Sequence, residues 1–84
     1  MPKTLGDNRH DALVAFLIRM RKQAGLTQVQ LAGRMKVYQS FIARVESGER
    51  RVDVIEFIKL SEVLEFDPSA AVADLAQIDK GASG

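Results

Sequence analysis

Between Leu26 and Gly48 the chain reads LTQVQLAGRMKVYQSFIARVESG, and this stretch concentrates side chains able to read a planar, hydrogen-bonding surface. Gln39 carries an amide that can bond an adenine edge through both its oxygen and its nitrogen, and Arg44 carries a guanidinium that can do the same for guanine. Ser40 can pair with either base or with a phosphate, and Tyr38 stands beside it at the same helix start. Gln28 opens an earlier helix, where backbone N–H groups and the helix dipole favour a phosphate oxygen. Arg50 and Arg51 follow the second helix as candidate backbone anchors, with Lys36 and Arg34 as lesser ones. Each of these residues is ordinary on its own at a protein surface. The combination carries the signal.

Those side chains need rigid elements to present them. Thr27 is placed to cap a helix over about 27–35, and Gln30, three residues on, completes the capping-box spacing. Leu31, Ala32 and Met35 form its inward face. Lys36-Val37 makes a turn into a helix over about 38–47, with Phe41, Ile42 and Val45 inward and Gly48 closing it. Before this pair, a first helix begins at a cap on Asn8 or Asp11 and runs to about Ala24. Leu13, Leu17, Met20 and Ala24 lie on one of its faces, and Gly25 takes the left-handed position. After the pair, Asp53 caps a fourth helix in which Phe57, Leu60, Ser61 and Leu64 repeat at i, i+3, i+4, i+7. Pro68 opens a fifth, with Val72, Leu75 and Ile78 along one side. No strand-like alternation, internal repeat or low-complexity tract appears. The expected organisation is a flexible arm at 1–7, one all-α domain of five helices at 8–79 and a disordered tail at 80–84.

Size and composition narrow the function. The chain has 84 residues, no cysteine and 46% hydrophobic content, so its core is aliphatic and neither disulfide nor thiolate metal site is available. No apolar run approaches the roughly 20 residues that span a bilayer, and the start MPKTLGDNRHD is polar, so a soluble cytoplasmic protein is the expectation. Residues 1–52 carry ten Lys/Arg against four Asp/Glu, whereas residues 53–84 carry two against seven. A basic front and an acidic back suit a module that turns one side to a polyanion. No Gly-rich phosphate loop, HExxH or Ser-His-Asp order is present, and the single histidine, His10, has no convergent partners. No enzyme, cofactor or metal site is expected, and His10 is expected at the surface.

The segments RMRKQAGLTQVQLAGRM, VYQSFIARVESGER and IEFIKLSEVLEF together resemble the helix-turn-helix domain of the phage-repressor (Cro/XRE-like) family of transcriptional regulators. The resemblance covers about Leu13 to Leu64. It implies a compact, five-helix, lambda-repressor-like DNA-binding domain. It also implies that Gln28 contacts phosphate, that Tyr38, Gln39, Ser40 and Arg44 touch phosphates or bases, and that Arg21 and Glu46 form a largely buried ion pair. The chain departs from the family pattern where Lys36 and Glu65 stand in place of glycine.

The expected partner is therefore double-stranded DNA. One helix reads only about four or five base pairs, so a homodimer on a palindromic operator is expected, as in a Cro-like repressor. With no separate effector domain in the sequence, Phe66, Val72, Leu75 and Ile78 are the candidate dimer contacts. The competing reading is an antitoxin-like chain that binds a second small protein through its acidic fourth and fifth helices.

Overall fold

Side-chain capping opens four of the five helices in the computed structural model, which describes residues 7–79. Residues 1–6 of the expected arm and the expected tail at 80–84 lie outside the described residues. The helices are α1 (Asn8–Gln23), α2 (Gln28–Met35), α3 (Gln39–Ser47), α4 (Val54–Leu64) and α5 (Pro68–Gln77), and no strand occurs among the described residues. Thr27 and Asp53 both form reciprocal capping boxes, with Gln30 and Glu56 respectively. Asp67 accepts from Ser69 N and Ala70 N, and Pro68 takes the first helical position, where its missing N–H costs nothing. The cap of α1 is Asp7 rather than Asn8 or Asp11. Its carboxylate accepts from His10 N at 3.0 Å, because Asn8 already has helical geometry and only the residue before it can reach the third backbone N–H.

Lys36 and Glu65, the two positions where glycine was expected from the family pattern, both adopt left-handed backbone at φ 60. Both turns take the left-handed backbone without glycine, at a cost of about 1 kcal/mol each. After Lys36 the chain closes on α2 through Val37 N to Ala32 O at 3.0 Å.

The core joins all five helices. Leu17, Leu31, Ala32, Met35, Ile42, Val45, Phe57, Leu60 and Leu64 are buried in one cluster, with Leu31 and Ile42 locking α2 onto α3. The inward face of α4 is the expected one. On α1 the buried residues are His10, Val14 and Leu17, while Leu13 and Met20 are half-buried and Ala24 is an exposed C-cap. Phe66 packs edge-on to Phe16 at 4.8 Å between ring centroids and lies 5.4 Å from Phe57. On α5 the fully buried residue is Ala71. Leu75 and Ile78 are half-buried, and Ile78 lies past the helix end as its C-cap.

Two polar residues of α1 have roles that the sequence did not suggest. His10 is 5% exposed, not at the surface, with Nε2 3.4 Å from the carbonyl oxygen of Gly48. It fills the space between α1 and the end of α3. Arg9 donates from Nε to Ile78 O and from Nη2 to Ala76 O, both at 3.0 Å, satisfying carbonyls that the end of α5 leaves without helical partners. Among the described residues, no helix is long and apolar enough to cross a membrane.

Candidate nucleic-acid interface

The α2–turn–α3 unit presents its polar face by burying the opposite one. Ile42 and Val45 anchor α3 in the core, which turns Tyr38, Gln39, Ser40 and Arg44 to the surface. Tyr38 is the N-cap of α3 and makes no side-chain capping bond, so its ring stands out at 85% exposure. The first turn of α3 thus has backbone N–H groups without a side-chain acceptor beside the exposed hydroxyl of Ser40.

Beneath this surface runs a continuous chain of hydrogen bonds. Arg21 and Glu46 form a two-pronged ion pair, Nε to Oε2 at 2.7 Å and Nη2 to Oε1 at 3.0 Å, with side chains only 12% and 8% exposed. The carboxylate of Glu46 holds the Arg21 guanidinium above its ordinary pKa. The remaining arm of Arg21 donates to Leu26 O at 2.8 Å, tying the α1–α2 loop to the same group. Glu46 Oε1 also accepts from Gln28 Nε2 at 3.0 Å, and Gln28 Oε1 accepts from Gln39 Nε2 at 2.8 Å. The carboxylate can only accept, so it forces the nitrogen of Gln28 inward and its oxygen toward Gln39. Gln39 then keeps its own oxygen and its second N–H for a partner outside the chain, the donor–acceptor pair that an adenine edge requires.

The basic residues divide into two groups. Arg34, Lys36 and Arg44 are exposed and form no ion pair among the described residues. Arg50 and Arg51 are both engaged within the chain. Arg50 grips Glu56 through two bonds at 2.9 and 3.0 Å, and its guanidinium stacks over Phe41 at 4.5 Å from the ring centroid. This contact holds the Glu56 carboxyl below its ordinary pKa. Arg51 donates to Asp7 Oδ2 at 2.7 Å and lowers the pKa of that carboxyl. Both pairs are more exposed than the Arg21–Glu46 pair. Arg51, with a side chain 62% exposed, still places charge at the surface.

A helix-turn-helix family model matches residues 17–70, which is the segment from the middle of α1 to the start of α5. The chain belongs to the helix-turn-helix family of the XRE type. A solved structure of an XRE-family like protein from Pseudomonas syringae pv. tomato is similar over 90% of this chain and 93% of that one, with 39% identity and a TM-score of 0.80. No curated protein matches the chain. Membership makes this XRE-type chain a DNA-binding regulator.

Several partners in this XRE-type domain escaped the sequence reading. Glu56 was detectable, since Asp53-x-x-Glu56 has the same capping-box spacing that marked Thr27 and Gln30. The bonds from Gln28 to Glu46 and from Gln39 to Gln28 had no local signal. Of the four candidate dimer contacts, Phe66 sits in the aromatic cluster, Leu75 and Ile78 are half-buried, and Val72 is 53% exposed.

Proposed function

We propose that two copies of the chain bind a palindromic DNA site, each laying α3 in the major groove of one half-site, about one DNA turn apart. The carrying observation is the exposed start of α3, where Gln39 is held by Gln28 on the largely buried Arg21–Glu46 pair. A base-reading side chain fixed in advance loses little conformational freedom on binding. Gln39 reads a base edge. Arg44 reads a second base or a phosphate. Tyr38, Ser40 and the N-terminal ends of α2 and α3 hold phosphates, with Lys36 and Arg51 contributing charge at the margin.

Selection of bound sequences from a random duplex pool at low salt tests this reading. The expected product is an enriched sequence with two-fold symmetry. If about six phosphates are neutralised per dimer, affinity for it falls about 10³-fold between about 50 and 200 mM salt. Failure to enrich any duplex at low ionic strength overturns the reading.

A further inference from the structure

The outward face of α4 has a composition that the fold does not use. Phe57, Leu60, Ser61 and Leu64 recur at i, i+3, i+4, i+7 and are buried. Ile55, Ile58, Lys59 and Glu62 recur at the same spacing two residues earlier, and all four are exposed. Ile55 is 64% exposed and Ile58 40%, and Val54, at 72%, continues the apolar surface toward Val72 on α5. An open groove lined by Leu13, Val52, Phe57 and Leu75 lies between Val54 and Val72. The apolar part of this face is Ile55 and Ile58 with Val54 beside them, a short stripe that the fold leaves uncovered.

We infer that this stripe is where a second copy of the chain docks, by antiparallel packing of α4 on α4 about a two-fold axis between Ile55 and Ile58. The inference rests on the homodimer reading above and names its surface. The charges select the second copy as occupant. In an antiparallel pair with that axis, Ile55 of one copy meets Ile58 of the other and Lys59 falls near Asp53. Asp53 and Lys59 are both exposed, so this opposite-charge pairing occurs twice, as an isologous contact requires. A parallel pairing sets Lys59 against Lys59 and Glu62 against Glu62, which is repulsive. The apolar centre is small, which fits a weak dimer in solution that two half-sites on one duplex reinforce.

The chain contains no cysteine, so single-cysteine variants report proximity without interference. An equal mixture of the Ile55→Cys and Ile58→Cys proteins under mild oxidation is expected to form mixed disulfide dimers faster than either protein forms its own. In sedimentation equilibrium of the full chain, Ile55→Asp is expected to weaken the dimer roughly 100-fold. Its circular dichroism and its binding to a single half-site should stay as in the wild type. A dimer that survives Ile55→Asp, or cross-linking without preference for the mixture, overturns this surface and leaves the homodimer intact. A wild-type chain that binds a palindrome as two independent monomers overturns both, while DNA recognition stands. Co-purification of a different protein that Ile55→Asp releases assigns the stripe to that partner and overturns self-pairing.

Discussion

α3 and α4 each bury one face in the same core, yet their outward faces are opposite in kind. The start of α3 offers Tyr38, Gln39 and Ser40, all hydrogen-bonding groups, and Gln39 is rooted through Gln28 in a largely buried ion pair. The outward side of α4 offers Val54, Ile55 and Ile58, fixed only by the helix backbone. Polar groups that must read another molecule need their orientation set beforehand, because a wrongly turned amide presents a donor where an acceptor is wanted. Apolar groups need no such control, since burial is non-directional. The surface with the more specific chemistry therefore has the more elaborate support.

The most forceful way to break this contrast is to cut the root. Arg21→Ala leaves the Glu46 carboxylate largely buried without its cation, and is expected to cost roughly 3–5 kcal/mol of folding stability. Chemical denaturation measures this directly. A loss below about 1 kcal/mol means that the pair orients Gln28 without holding the domain together. DNA binding by this variant should fail as a consequence of unfolding, and return when the temperature is lowered enough to restore helical circular dichroism.

Removing the tip is expected to do less to the fold and more to specificity. Gln39→Ala should cost about 1–3 kcal/mol on the selected site and little on random duplex, by titration of both. Equal losses on both sequences would place Gln39 on the DNA backbone. Gln28→Ala sharpens the same point: Gln39 survives but its orientation is released, so discrimination should fall while stability changes little.

The Arg50–Glu56 pair lies between the two faces and has a smaller, pH-dependent effect. The guanidinium lowers the Glu56 pKa in the folded state from the model-compound value of 4.5. Its contribution is therefore complete above that ordinary value and is lost as pH falls through the lowered one. Acid unfolding of the wild type should steepen in that range, and Glu56→Gln should flatten it. An unchanged acid limb in Glu56→Gln would assign the acid sensitivity to other carboxyls, Asp7 first, since Arg51 lowers it in the same direction.

Gly33 provides the smallest and cleanest test. It lies inside α2 on the exposed side, and a methyl group added there meets nothing within 4 Å. Gly33→Ala is expected to raise stability by up to about 1 kcal/mol through helix propensity alone. DNA affinity measured alongside discriminates further. If affinity drops while stability rises, something outside the chain approaches α2 closely at this position.

Much of the architecture was written locally. Thr27 with Gln30, Asp53, Pro68 and the glycines at 25 and 48 marked helix ends because capping bonds span three or four residues and positive φ favours glycine. The buried faces of α2 and α4 followed from a 3.6-residue period, which is also a local property. The family pattern located the Arg21–Glu46 pair and the exposed start of α3. Where local signals competed, errors followed: Asp7 capped α1 although Asn8 and Asp11 are equally good capping types, and the buried side of α5 narrowed to Ala71.

Contacts between residues far apart in the sequence were decided by packing. Glu46 needed α3 to lie across both α1 and α2 before it could orient Gln28 as well as pair with Arg21. Arg9 reached the end of α5 because α1 and α5 pack together, and His10 was buried because the end of α3 closes over it. Arg50 met Glu56 once the loop before α4 folded back over Phe41. The exposure of Ile55 and Ile58 likewise depended on which of two equally spaced stripes the core accepted. The sequence alone determined the five helices, most of their ends and the polar start of α3, since those depend on neighbours within a turn. Which side chains were pinned, which charges were neutralised and which apolar surface was left outward depended on how five helices share one small core, and only the tertiary structure decided that.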